Sequence, residues 1–223
     1  MTVITIDVVS DFICAWCFIG KRQLDQAVRL YQKTYPGGRN DEFRITWRPF
    51  YLGYNDSATS IHKLELADTK LAHMTPEQRE MLGRRMERIG SSVGINFKWG
   101  GKVGRTYDAH KLVYMSRSMS TDMQDELIEK LFRAYHEDEQ DISCKDHLRK
   151  IAATVGLSEG QVNECFENST IEEALKEEAA LYRAQTEGSG VPTFLIQGKY
   201  KLSGAQDVQD FMDLFVQVKE NPV

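Results

Sequence analysis

The sequence predicts an α/β domain interrupted by an all-helical insertion, and three observations carry that expectation. A β-branched run opens the chain and strand chemistry returns near its end. The stretch between about Tyr54 and Gly188 is rich in helical periodicity, and two cysteines sit where the first strand hands over to the first helix. The order is β-α-β, a helical block, then β-β-α. Residues 1–54 and 188–223 form the α/β domain, and residues 55–187 form the helical insertion.

Val3 to Val9 (VITIDVV) is apolar and β-branched with one acidic interruption, which suits a strand buried for most of its length. Leu24, Ala27, Val28 and Tyr31 give helical spacing from Lys21 to Tyr35, and Pro36-Gly37-Gly38 ends that helix. Phe43 to Phe50 is a second strand with Phe43, Ile45 and Trp47 on one face, and Pro49 marks its end or an edge position. In the insertion, Thr75-Pro76-Glu77 reads as a helix start, continued by Met81, Leu82, Arg85 and Ile89. Met123 to Tyr135, Leu148 to Val155 and Ile171 to Tyr182 carry further amphipathic stripes. Trp99 to Gly104 reads as a flexible glycine-rich connection, and the methionines Met81, Met86, Met115, Met119 and Met123 read as packing. Gly190 to Ile196 and Tyr200 to Leu202 form strands about a turn at Gln197-Gly198-Lys199, and a closing helix runs from about Ala205 to Lys219.

Composition removes several function classes. Hydrophobic residues are 41% and charged residues 27%, the balance of a folded globular chain rather than a disordered one. The net charge of −5 comes from mixed charges without a basic stripe, so nucleic acid and acidic membrane surfaces are not expected partners. No apolar run reaches the ~18 residues of a membrane span, and the first residues read as a strand rather than an export signal. Four cysteines are too few for a disulfide-stapled secreted scaffold. A reducing, cytoplasmic setting follows as the expectation, and there a close cysteine pair points to catalysis or metal binding.

Cys14-Ala15-Trp16-Cys17 carries the chemistry. At a helix N-terminus, unpaired backbone N–H groups and the helix dipole favour negative charge, so a cysteine there is activated as a thiolate. Two intervening residues let Cys17, one turn in, close a small disulfide. Cys14 is therefore the expected nucleophile and Cys17 the resolving thiol of thiol–disulfide exchange. A zinc site would need a second ligand pair, and Cys144 and Cys165 lie 21 positions apart with no histidines at ligand spacing, so no metal is expected. Val191-Pro192 opens the returning strand. Its spacing alone fits an ordinary trans proline at an edge strand, while a cis proline would turn the Val191 backbone toward the cysteine pair.

S-D-x-x-C-x-W-C-x-x-G from Ser10 to Gly20, R-T-Y-D-A-H-K-L from Arg105 to Leu112, and G-V-P-T-F from Gly190 with a downstream G-A-Q together resemble DsbA-like thioredoxin-fold proteins, and within them the FrnE-like thiol oxidoreductases. The likeness runs from Val3 to about Phe215. It implies a thioredoxin fold with an inserted helical domain, a redox pair at Cys14 and Cys17, and a cis-proline loop at Val191-Pro192 that meets the substrate backbone. Two positions depart from the family pattern. Ala15 stands where proline is usual, which bears on oxidising strength rather than reaction class, and Tyr107-Asp108 stands where an asparagine often precedes the Ala-His pair. Related kappa-class glutathione transferases and 2-hydroxychromene-2-carboxylate isomerases usually carry serine at the position of Cys14. This chain keeps both thiols, which favours disulfide exchange.

Around the pair, Asp11 fits a helix-capping or loop role and also a proton-transfer role. Trp16 fits a substrate-contact surface and equally a shield over Cys17. His110 matches the family's Ala-His position, although a lone helical histidine is more often a structural hydrogen-bonder. Arg105 and Asp108 are charge-bearing candidates for a ligand carboxylate such as glutathione's. Cys144 and Cys165 pair only if the fold brings their Cα atoms within ~6 Å. The expected function is disulfide oxidation, reduction or isomerisation on a thiol- or disulfide-containing protein or small molecule. No metal or organic cofactor is required, and glutathione is the expected redox partner. A glutathione-dependent isomerase or transferase and a chaperone-like binding module are the alternatives. Monomer and homodimer are both compatible with the sequence.

Overall fold

The computed structural model describes residues 1–55, 57–186 and 189–221. In chain order, β1 (Val3–Ser10) is followed by α1 (Ala15–Thr34) and β2 (Glu42–Pro49). Next come β3 (Ile61–His62), α2 (Lys63–Lys70), α3 (Pro76–Ser92), β4 (Lys102–Val103), α4 (Tyr107–Ser116), α5 (Thr121–His136), α6 (Lys145–Thr154), α7 (Glu159–Glu167) and α8 (Ser169–Gln185). The chain closes with β5 (Thr193–Ile196), β6 (Tyr200–Ser203) and α9 (Val208–Glu220).

Two compact units emerge: Met1–Phe50 with Glu178–Val223, and Tyr51–Glu177. In the first, the sheet order is β2-β1-β5-β6. β1 pairs parallel with β2 and antiparallel with β5, placing Val8 opposite both Trp47 and Phe194. Central position explains the composition of β1: Ile4, Ile6, Val8 and Val9 are buried, whereas edge strand β2 alternates and ends on Pro49, which has no N–H to offer a further ladder bond. α1 and α9 supply Leu24, Ala27, Tyr31, Phe211 and Phe215 to the same core, and Phe194 meets Phe211 edge-on at 4.8 Å.

The second unit holds the short β3–β4 pair and helices whose core is Leu112, Leu127, Ile128, Leu131, Phe132, Leu148, Val162 and Phe166. Thr75 and Gln78 form a reciprocal capping box ahead of α3, with Pro76 at the first helical position. α2 buries no residue, and Met81 is 63% exposed, so the packing role expected of that methionine does not hold. The glycine-rich connection is not a loose linker. The Gly100 N–H donates to Glu139 Oε1 at 2.7 Å, Gly101 adopts φ +82° against the Glu139 backbone, and β4 lies in the same stretch.

Unit boundaries differ from the sequence expectation of 54/55 and 187/188, the second of which lies outside the described residues. The end of α8 groups with the sheet because Arg48 holds it. Its guanidinium donates to Asp7 Oδ1 at 2.7 Å and Glu178 Oε1 at 3.1 Å, and lies 5.0 Å over the Tyr182 ring.

Candidate functional site

Cys14 is the N-cap of α1, with extended backbone at φ −89° and ψ 114°. Its N–H donates to the Asp11 carbonyl at 3.1 Å, and its own carbonyl accepts from Cys17 N–H at 3.1 Å and Phe18 N–H at 3.3 Å. The side chain therefore leaves the main chain where the first-turn N–H groups have no intrahelical partner. No acidic residue occupies the first turn, so nothing local offsets the positive end of the helix. The helix begins six residues before the periodic stretch that the sequence displays, because Cys17, Phe18, Ile19 and Gly20 are all buried and leave no polar face to reveal a period.

Cys14 is half-buried and Cys17 is buried at 1% exposure. Burial pushes the Cys17 thiol well above the ordinary thiol range, and the neighbouring Cys14 sulfur pushes it the same way. The Ser10 hydroxyl and the Asp11 backbone act in the opposite direction, favouring the thiolate. The two sulfurs are thus unequal, one accessible at a helix end and one enclosed behind it. All four cysteines are free thiols in the structure.

β5 supplies the facing wall. The Val191–Pro192 peptide bond is cis, and the Cys14 thiol donates to the Val191 carbonyl with sulfur 3.8 Å from oxygen. The Pro192 carbonyl accepts from Gly204 N–H at 2.8 Å, and Thr193 Oγ1 donates to the Gly190 carbonyl at 2.7 Å, fixing this segment from both sides. Gly20 lets the helix approach it: a Cβ there would lie 3.0 Å from Phe194 Cζ and 3.1 Å from Pro192 Cγ. Sequence reasoning found Cys14, Cys17 and Val191-Pro192, which the fold brings together. Ser10 heads the quoted motif but was given no role there, because nothing in its spacing shows that its hydroxyl is buried without a partner.

Asp11 is buried in the turn between β1 and α1, where its carbonyl holds Cys14 N–H and its backbone reaches the Cys17 sulfur. Trp16 is 41% exposed on the first turn of α1. His110 belongs to the second unit, buried on α4, with its ring edge-on to Tyr51 at 5.1 Å and its N–H donated to the Thr106 carbonyl. Asp108 lies in the same helix, its carboxyl pushed up by burial, and Arg105 is exposed. Cys144 is the N-cap of α6, and Cys165 is buried in α7 with its thiol pushed up by burial to about 11. Among the described residues no group of three or more His, Cys, Asp or Glu side chains is placed to hold a metal ion, and no helix is long and apolar enough to cross a membrane.

An accessible sulfur at a helix N-terminus, an enclosed sulfur one turn on, and an adjacent backbone carbonyl form an arrangement suited to forming and resolving a mixed disulfide. An uncharacterized protein of Bacillus subtilis, YwbO, is 22% identical over 191 residues, covering 86% of each chain. Among solved structures, the probable DsbA oxidoreductase SCO1869 from Streptomyces coelicolor superposes with a TM-score of 0.83 at 20% identity, covering 99% of this chain and 92% of that one. The cytosolic disulfide reductase DsbM from Pseudomonas aeruginosa, solved with GSH, superposes with a TM-score of 0.64 at 15% identity, covering 97% of this chain and all (100%) of that one. The family model described as the DSBA-like thioredoxin domain matches residues 5–216, and the chain belongs to that DsbA-like thioredoxin family.

Proposed function

We propose that the chain is a thiol–disulfide oxidoreductase in which Cys14 attacks and Cys17 resolves. The observation that carries this reading is the position of Cys14: N-cap of α1, with its sulfur beside the Val191 carbonyl and Cys17 enclosed one turn behind it. In the reductive direction, the Cys14 thiolate attacks one sulfur of a substrate disulfide, and the other leaves as a thiolate that takes up a proton. The Cys17 thiolate then attacks Cys14 Sγ, forming the Cys14–Cys17 disulfide and releasing the second substrate thiol. Oxidation of a substrate dithiol is the same sequence reversed, and the potential of the pair sets the direction.

Val191 contributes main-chain pairing to the substrate and Pro192 shapes that loop, while the exposed face of Trp16 is the contact for apolar substrate groups. Asp11 acts as a positioning residue through the turn that carries both sulfurs. His110 has the structural part that its Tyr51 packing supports. Glutathione is the proposed redox partner and the reducing cytoplasm the proposed compartment; the cytosolic disulfide reductase DsbM, solved with GSH, supports both by likeness of fold.

Reduction of a model disulfide by glutathione tests the assignment. Cys14→Ser is expected to lower the rate on the order of 10³-fold or more, as for loss of a nucleophile. Cys17→Ala is expected to accumulate the Cys14 mixed disulfide, visible by mass. Full activity in Cys14→Ser contradicts the assignment. Glutathione-dependent turnover that survives in Cys17→Ala points instead to an isomerase or transferase.

A further inference from the structure

We infer that Ser10 is a positioning residue for the resolving step, its hydroxyl donating to the Cys17 sulfur as that sulfur attacks Cys14. This inference rests on the exchange reading above. Ser10 ends β1 at 2% exposure, and its main chain is already committed: the carbonyl accepts from Phe50 N–H at 3.0 Å, and the residue stands opposite Pro49 in the ladder. The hydroxyl oxygen is buried and meets no hydrogen-bond partner, sulfur included, among the described residues. The group whose charge it favours is the Cys17 thiolate, which is equally enclosed and would give that hydroxyl an acceptor only once it forms.

A buried hydroxyl without a strong partner is destabilising, so its presence fits a state in which a strong acceptor faces it. The resolving step supplies one. A thiol sulfur is a weak acceptor, but a thiolate is a charged one, and a rotatable O–H turns toward it without backbone movement. Burial opposes the Cys17 thiolate, as does the adjacent Cys14 sulfur, so each donor aimed at it counts toward the rate. The Asp11 backbone is the other group favouring charge there.

In the step itself, Cys17 S–H loses its proton and attacks Cys14 Sγ. The Cys14–Cys17 bond forms, the Cys14–substrate S–S bond breaks, and the departing sulfur leaves with the electron pair and takes up a proton. Ser10 keeps its own proton throughout. Titratable side chains flank this position along the chain. Cys14 lies on the same helix, and Asp11 lies in the preceding turn. Lys21, one turn further along α1, is paired with Asp25 at 2.7 Å. β5, which packs on α1 through Phe194, carries no titratable side chain from Thr193 to Ile196.

The test uses the full chain carrying Cys144→Ala and Cys165→Ala, so that only the pair reports. Mixed with excess 5,5′-dithiobis(2-nitrobenzoate), Cys14 releases one coloured thiolate as it forms the mixed disulfide, and Cys17 releases a second as it resolves it. Ser10→Ala keeps the Cβ and removes one oxygen. It is expected to leave the first phase unchanged and to slow the second about tenfold near neutral pH, the worth of a hydrogen bond to a charged group. The pH profile of the second phase should move to higher pH, and Ser10→Thr, which keeps a hydroxyl, should restore most of the rate.

A second phase unaltered by Ser10→Ala overturns the inference while leaving the exchange reading intact. Equal slowing in Ala and Thr variants, or slowing by the same factor at every pH, also overturns it, because it reports a packing defect. A parent protein with no second phase overturns the exchange reading, and the inference with it.

Discussion

Cys17 and Cys165 are enclosed, whereas the two helix-capping cysteines are half-buried. Burial raises the thiols of Cys17 and Cys165. With its thiol at about 11, Cys165 is ionised to only about one part in 10⁴ at pH 7, and only the thiolate alkylates. Brief treatment of the reduced native protein with iodoacetamide at pH 7 is therefore expected to leave Cys17 and Cys165 unmodified by peptide mass mapping. Both should label after denaturation. Native labelling of Cys17 as fast as Cys14 contradicts the asymmetry on which the assignment of attacking and resolving roles stands. Cys14 and Cys17 were legible as a pair because their spacing and their place after a β-branched run are local. Ser10 was legible only as the head of that motif, because the burial of its hydroxyl comes from packing that spacing does not show.

Helix α1 shows why an element can be legible while its boundary is not. Its outer turns alternate polar and apolar residues, but Ala15 to Gly20 are all apolar, and Cys17 to Gly20 are buried while Trp16 stays partly exposed. Gly20 is the clearest mark of that burial. On helix propensity alone, Gly20→Ala stabilises by about 1 kcal/mol. Contacts of 3.0 Å and 3.1 Å with a phenylalanine ring and a proline, both packed, reverse the sign. The variant is expected to melt roughly 2–6 °C lower than the parent and to exchange disulfides more slowly. A raised melting temperature contradicts this. The reading of Trp99 to Gly104 failed for a related reason: glycines look flexible in sequence, but Glu139, remote in the chain, is what orders Gly100 and Gly101.

At the scale of the molecule, the sheet unites two segments separated by the whole of the second unit, and the order β2-β1-β5-β6 exists only when both are in place. Asp41 fastens them. Its carboxylate accepts from Thr2 N–H at 2.6 Å, Tyr31 Oη at 3.0 Å and Lys219 Nζ at 2.7 Å, joining the first strand, α1 and α9. Burial pushes the Asp41 carboxyl up, but these three donors outweigh it and hold the group below its usual value. A lowered folded value means that the stabilisation is complete above the ordinary carboxylate range near ~4 and is lost as pH falls through the folded value.

Urea midpoints between pH 3 and pH 7 should accordingly fall less steeply toward acid in Asp41→Asn than in the parent. Asp41→Ala should cost about 2–3 kcal/mol, since Lys219 and the buried Tyr31 hydroxyl lose their acceptor. An unchanged acid slope in Asp41→Asn contradicts this. The split organisation itself was legible, because strand chemistry flanks a helical block. The end of α8 was not assigned to the sheet unit, because the contacts of Arg48 with Glu178 and Tyr182 are invisible in a linear pattern.

Whether Cys14 and Cys17 form a redox couple is read directly by equilibration against reduced and oxidised glutathione with thiol trapping. Cys14 and Cys17 are expected to disappear together as one intramolecular disulfide with a single midpoint, between the ~−120 mV of strong oxidants and the ~−270 mV of thioredoxin-type reductants. No Cys14–Cys17 disulfide at any glutathione ratio, with Cys14 blocked alone or not at all, contradicts it.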